Sequence, residues 1–347
     1  MQGLLELWME VRQALAAENG ERLASLYSSG YKENNLQSPF DTIFSGLKNT
    51  FNEQATLAKD FIKHFGTSQN SFEIPLLKQI LHRLYTLSNE NSEESARIIS
   101  KAFTIAVTDR TLSKRPALVF IMNLLFRIYF KLNNIRLCQN MIKATTNLNI
   151  QDYPISEEVT FRFYRGRVHI FDGEYKEAEN TLQIAFEKCP KRNKRLILSF
   201  LIVLKVFHGQ MPTTQLLEKY NLHSQYSILL QSVKQGNICQ FEEQLNLNRK
   251  YFIKLELFLL ISLKMKNLMI RNLLKRVYLC MGISNRLFFR DLKIAFAFVQ
   301  NPIEIAEIEC ICANLICEGF IKGYISHEKQ LIVLSKLNPF PSPSSFL

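Results

Sequence analysis

Glycine, proline and tryptophan are scarce in this chain of 347 residues: 12 glycines, 10 prolines and one tryptophan. The glycines stand singly, so no glycine-rich loop of the kind that cradles a phosphate is present. Long apolar runs are also missing. The longest, such as Leu196–Leu204, reach about nine residues, where a membrane span needs roughly 20. No membrane insertion is expected, and the protein is expected to be soluble. The first residues carry Glu6 and Glu10 where a secretory signal would be basic, and they read as an amphipathic helix. Seven cysteines, an odd number, lie mostly inside apolar helical patterns. That predicts reduced, buried thiols and no disulfide framework.

Catalytic patterns are absent too. His327-Glu328 lacks the second histidine of a metalloprotease helix and reads as part of a tight turn. Cys310, Cys312 and Cys317 lie near His327, but only Cys310 and Cys317 share a helix face, and no closely spaced cysteine pair sits on a turn. No metal, no cofactor and no enzymatic activity are expected.

What the chain does have is helix and positive charge. Apolar residues make up 47% and charged residues 21%, enough to bury a large core. The net charge of +12 is uneven. Residues 1–100 hold nine Lys/Arg against twelve Asp/Glu, and the remainder holds 34 against 19. A basic C-terminal two-thirds suits a polyanionic partner.

Helical periodicity predicts helices near 2–17, 39–66, 74–88, 92–108, 114–131, 134–147, 156–171, 174–188, 193–207, 212–219, 224–233, 237–247, 249–263, 265–281, 286–299 and 303–318. The short breaks between them imply antiparallel neighbours. Gly166, Ala178, Ala185 and Pro190 fall at tetratricopeptide spacing, with Tyr175 and Leu182 between them. The run Lys188, Lys191, Arg192, Lys194 and Arg195 brackets Cys189-Pro190 and reads as a solvated loop or an anion-binding edge.

The C-terminal end changes character. Helix 265–281 is expected to turn Ile270, Leu273, Leu274, Val277 and Met281 to one side, with Lys264, Arg271 and Lys275 opposite; Arg276 adds to the basic set. Helix 286–299 is expected to bury Phe288, Leu292, Ala295, Phe296 and Val299, with Arg286, Arg290 and Lys293 outside. Asn301-Pro302-Ile303-Glu304 has the spacing of a capping box at the start of helix 303–318, although the start could lie nearer Ala306. The period then switches to two through Ile321–Ile325, with a turn at His327-Glu328-Lys329 and a return strand over 330–335. Three helices and a β-wing predict a winged helix.

The outer face of its third helix carries Glu307, Asn314 and Glu318, which would repel a phosphate backbone. Sequence-specific DNA reading is therefore not expected. Candidate nucleic-acid contacts are Lys264, Arg271, Lys275, Arg276, Arg286, Arg290, Lys293, Lys322, Lys329 and Lys336. Candidate partner-docking residues are Phe320, Ile321, Tyr324, Ile325, Leu331 and Val333.

Helical repeats running into a winged helix are the PCI architecture. Residues 120–144, 191–222, 254–280 and 313–341 resemble the PCI-domain subunit of the nuclear transcription-and-export complex, the Thp/PCID type. The specific combination is Gly209, Met211, Pro212 and Thr213, then Arg271-Asn272-Leu273, then Lys322-Gly323-Tyr324-Ile325-Ser326-His327. A related signalosome-associated subunit shares much of it.

The fold class expected is an all-α, tetratricopeptide-like superhelix followed by a C-terminal winged helix, a PCI domain. Its parts would be N-terminal repeats over 1–150, the helical part of the PCI domain over 151–264, the winged helix over 265–338 and a disordered tail over 339–347. The resemblance implies a non-enzymatic scaffold in the nucleus, at nuclear pores, with a cytoplasmic share left open. It would dock on a PCI-containing Sac/GANP-type scaffold protein, hold a small acidic Sem/Dss-type protein, and bind RNA or DNA without sequence preference. The alternative is a protein-interaction subunit of a signalosome- or lid-like assembly without nucleic-acid binding.

Overall fold

The computed structural model describes residues 13–14, 17–30, 50–67, 71–89 and 91–343. Most of the expected helix 2–17, and residues 39–49 of the expected helix 39–66, lie outside them. The chain divides into two compact units, Met1–Asp172 and Gly173–Leu347.

The first unit is helical among its described residues. Its helices are α1 (Gly20–Gly30), α2 (Phe51–Thr67), α3 (Ile74–Leu87), α4 (Ser92–Thr108), α5 (Leu118–Lys131), α6 (Ile135–Ala144) and α7 (Ile155–Asp172). Periodicity places no helix over α1. α5 is the centre, because it is apolar almost all round: eleven of its residues are buried, from Leu118 to Phe130. It packs against α3, α4, α6 and α7. Each fully buried Leu, Ile or Phe stabilises this core by about 1.5–3 kcal/mol relative to exposure.

The second unit starts with α8 (Tyr175–Lys188), α9 (Lys191–Phe207), α10 (Thr214–Lys219), α11 (His223–Gln235) and α12 (Ile238–Leu247). Ala178, Leu182 and Ala185 are fully buried, and α8 packs on α9. The division between the units falls inside the tetratricopeptide-like pair, since α7 belongs to the first unit and α8 to the second.

The expected helix 249–263 is two pieces. α13 (Arg249–Lys254) stops at Leu255, and Glu256 takes a φ of 59°. After this break α14 (Phe258–Leu260) runs through a π-helical turn, Ile261–Met265, into α15 (Lys266–Cys280). The helix expected from 265 thus starts seven residues earlier as a continuous rod.

The winged helix follows. β1 (Arg286–Phe288) leads into α16 (Phe289–Phe298), then α17 (Ile305–Cys317), β2 (Gly323–Ser326) and β3 (Leu331–Leu334). The sheet order is β1–β3–β2, all antiparallel. The expected helix 286–299 therefore loses its first turn to a strand. That shift changes its buried face: Leu287 and Phe289 are buried, while Phe288 is 36% exposed. Leu292, Phe296 and Val299 point inward as expected, whereas Met281 is exposed. α17 begins at Ile305 with no side-chain cap, because Glu304 instead binds Lys293 at 2.8 Å.

Two glycines are dictated by geometry. Gly236 ends α11 at a φ of 76°, and a Cβ there would lie 2.8 Å from Leu273. At Gly323 a Cβ would lie 2.4 Å from the Val333 carbonyl oxygen, so the β2–β3 pair closes only over hydrogen.

Of the expected disordered tail 339–347, residues 344–347 lie outside the described residues, and residues 339–343 are packed. Phe340 and Pro341 are buried, and Pro343 would meet a Cβ on Gly209 at 3.2 Å. The Pro/Ser-rich composition suggests a loose tail, but buried donors elsewhere in the unit fix it.

Candidate winged-helix interface

The wing sheet places one strand residue beside another in defined rungs. Tyr324 on β2 pairs with Val333 on β3, which pairs with Arg286 on β1. The next rung on the same face is Ser326, Leu331 and Phe288. The opposite face buries Leu287, Ile332 and Leu334. On the outer face Tyr324 is 63% exposed and Arg286 is exposed. The Arg290 guanidinium sits 5.1 Å from the Phe288 ring centre. The result is a sheet face with two partly exposed rings, Tyr324 and Phe288, and two arginines.

The ten cationic candidates divide into three groups. Arg271 is not a surface residue at all. It is buried, and its guanidinium donates to the carbonyl oxygens of Phe340 and Pro341 at 3.1 and 2.6 Å. Desolvation lowers its pKa below the usual arginine value. Three others are engaged: half-buried Lys264 with Glu318 at 3.9 Å, exposed Arg290 with Asp291 at 3.4 Å, and half-buried Lys293 with Glu304 at 2.8 Å. Lys275, Arg276, Arg286, Lys322, Lys329 and Lys336 are exposed and have no acidic partner among the described residues. Arg286 lies on β1 and does not share a helix with Arg290 and Lys293.

The docking candidates divide as well. Phe320 and Ile321 are buried in the core of the winged helix, and Leu331, although on the outer face of the sheet, is buried there at 5% exposure. Ile325 and Val333 are half-buried, and Tyr324 is exposed. The large exposed apolar side chains instead include Ile294 and Phe298 on the outer side of α16, 69% and 87% exposed. Their i, i+4 spacing, opposite Leu292 and Phe296, is the sequence signal for this stripe.

α17 contains no lysine or arginine, and Glu307, Asn314 and Glu318 are exposed along it. Cys312 is buried, but Cys310 and Cys317, expected inside, are exposed, as is Cys280. His327 meets Glu309 at 2.8 Å. No group of His, Cys, Asp and Glu suited to a metal occurs among the described residues. The expected basic loop is instead the end of α8 and the first turns of α9: Lys188, Lys191, Arg192 and Arg195 are exposed there, and Lys194 leans on Phe186 at 4.8 Å. No described helix is long and apolar enough to cross a membrane.

Comparison with known proteins agrees with this geometry. PCI domain-containing protein 2 of Xenopus laevis is 33% identical over 347 residues, covering 89% of this chain and 86% of the relative. This chain belongs to that PCI-domain family. The PCI domain itself matches residues 210–336, from the loop before α10 to just past β3. PSMD3-like N-terminal TPR repeats match residues 43–225.

The PCI domain-containing protein 2 homolog of Dictyostelium discoideum is 41% identical over 260 residues, 72% of this chain and 60% of that protein. Protein CSN12 homolog of Schizosaccharomyces pombe is 35% identical over 264 residues, 73% of this chain and 62% of that protein. The chain thus spans less than two thirds of these two relatives. As a family member it combines TPR-like helical repeats with a PCI domain that ends in a winged helix.

The motif residues of the family resemblance have structural work here. Arg271 grips the segment 340–341, Asn272 donates to the Val233 carbonyl at 2.9 Å, and Leu273 packs where Gly236 leaves room.

Proposed function

We propose that the chain is a non-enzymatic scaffold subunit of a nuclear mRNA-export complex. In this reading its winged helix docks on a PCI-containing Sac/GANP-type scaffold protein and contributes to RNA or DNA binding without reading sequence. The observation that carries the reading is the contrast between two surfaces. α17, the helix that would enter a groove, has no cation and exposes Glu307 and Glu318. Exposed cations lie instead on α15, β1 and the wing of the same winged helix. Such contacts attract phosphate electrostatically and tolerate any sequence. Phe288, partly exposed, adds a ring on which an unpaired base can stack.

The docking edge is the outer face of α16 together with Tyr324. Ile294 and Phe298 form an apolar stripe that a partner would cover. The net +15 of residues 101–347 complements a small acidic partner of the Sem/Dss type.

Affinity purification of the tagged chain from nuclei, read by mass spectrometry, tests this. Recovery of a PCI scaffold and an acidic small protein supports it, and Phe298→Asp should release the scaffold. Recovery of signalosome- or lid-type subunits alone overturns it.

That second reading, a protein-interaction subunit without nucleic-acid binding, draws on one observation. Four of the ten cationic candidates are buried or ion-paired, which leaves a weaker positive field.

A further inference from the structure

Five cations stand close together where α8 passes into α9: Lys188, Lys191, Arg192, Lys194 and Arg195. The docking and nucleic-acid surfaces of the winged helix do not include them. Lys188 lies in the last turn of α8, where the helix dipole favours positive charge. The other four occupy the first turns of α9, where the dipole disfavours it. The first turn of α9 holds no acidic residue, and its N-cap, Pro190, supplies no side-chain cap. Lys191, Arg192 and Arg195 are exposed and have no acidic partner among the described residues. The charge thus sits where it loosens the helix start.

The backbone agrees. Cys189 and Pro190 are extended, with φ and ψ of −72° and 141° and of −64° and 149°. Cys189 is buried and anchors the chain at the end of α8. Along α9 the first buried side chain is Ile197, and Leu196 is 43% exposed. Residues 191–196 can therefore uncoil and continue the extended run without uncovering the core. End turns of this kind open at little cost. Once extended, Lys191 and Arg195 point to one side, and Arg192 and Lys194 to the other.

We propose that Pro190–Arg195 is a nuclear-import signal, read in extended form by an import receptor with an acidic groove. Short exposed runs rich in Lys and Arg have the chemistry for this role. Carboxylates of the groove take the charged ends, and its apolar walls take the aliphatic stems. RNA fits this run less well. The ring beside it, Phe186, is engaged by Lys194 at 4.8 Å and by the Tyr220 ring at 5.9 Å, so no free ring face awaits a base. The signal rests on the nuclear placement in the proposed function, but it uses neither the winged helix nor a scaffold partner.

The test titrates the full-length chain against a purified import receptor of the acidic-groove type, and images the same chain in cells with a fluorescent tag. Lys191→Ala and Arg192→Ala should each weaken receptor binding about tenfold, the loss expected for a charged hydrogen bond. Both side chains are exposed, so the thermal midpoint should not change. Combined, the two changes should leave the tagged chain in the cytoplasm. Pro190→Ser keeps every cation and adds an N-cap acceptor that firms the helical start, so it should weaken binding about fivefold. A role of surface charge alone would not respond to that change. Lys275→Glu with Arg276→Glu should bind the receptor as the parent does. No binding by the parent chain, or equal binding by the parent and all three variants of the run, overturns the proposal. Loss of RNA affinity in the alanine variants with receptor binding intact overturns it too. Receptor binding lost in those variants supports the signal even where no export scaffold is recovered from nuclei, so the two readings fail separately.

Discussion

Arg271 donates from Nη2 to the carbonyl oxygen of Pro341 across 2.6 Å, and to that of Phe340 across 3.1 Å. This buried guanidinium fastens the C-terminal segment to α15. Nearby, the Lys322 backbone N–H donates to the Pro339 carbonyl at 2.9 Å, so the same segment is stitched to the start of the wing. Arg271→Leu removes the donors and leaves two buried carbonyl oxygens unsatisfied. It should cost on the order of 2–4 kcal/mol in chemical denaturation. Hydrogen exchange at the Lys322 amide should accelerate in the same variant. A variant as stable as the parent, with slow exchange there, would refute the clamp.

Gly236→Ala should destabilise the protein by more than about 1 kcal/mol, because the added carbon meets Leu273 and the backbone is left-handed there. Thermal unfolding measures it. Gly173→Ala provides the comparison, since that glycine is also left-handed but has open space around it. The second change should cost less than the first.

Asp109 makes one acid-sensitive turn. Its carboxylate accepts from the backbone N–H groups of Lys114 and Thr111 at 3.0 and 3.2 Å, and from the hydroxyls of Thr111 and Ser113 at 2.8 and 3.2 Å. The Lys114 amide does most to lower its pKa, from 3.8 to about 2. A pKa depressed on folding means that the stabilisation is full above 3.8 and fades as the pH falls toward about 2. Asp109→Asn should therefore be less stable than the parent at neutral pH, and the difference should shrink through that window. Urea midpoints across the range would show it.

Thiol chemistry should separate the cysteines. Burial pushes Cys138 and Cys312 up to about 12, whereas Cys280, Cys310 and Cys317 are exposed. A disulfide reagent should modify those three quickly in the native protein and reach Cys138 and Cys312 only after unfolding. Rapid modification of Cys312 would contradict the packing of α17.

Long periodic helices such as α4, α5 and α9 are legible in the sequence because their apolar stripes and breakers agree. The elements that escape notice depend on partners distant in the chain. β1 sits in a run with helical spacing and becomes a strand only because β3, more than 40 residues later, pairs with it. Arg271 reads as an outward charge, since nothing local announces two carbonyl acceptors some 70 residues away. Its place beside Asn272 and Leu273 in the family motif is the one hint of a structural role.

The wing shows the same limit. Period-two alternation identifies the hairpin, but Phe320 and Ile321 precede the strand and are buried by the fold, so they cannot dock a partner. The exposed α16 stripe, Ile294 and Phe298, is readable from spacing alone, yet a helix assumed to start at 286 directs attention to its basic side.

The central claim is sequence-independent nucleic-acid binding by the unpaired cations of the winged helix. The most direct measurement is a salt titration of RNA affinity, with two unrelated single-stranded sequences, for the parent chain in its assembled complex and for Lys275→Glu, Arg276→Glu, Arg286→Glu and Lys322→Glu combined. The account predicts equal affinity for both sequences in the parent. It also predicts a salt slope shallower in the variant by about 0.7 for each phosphate that is no longer neutralised. Affinity and slope unchanged in the variant at low salt would contradict it.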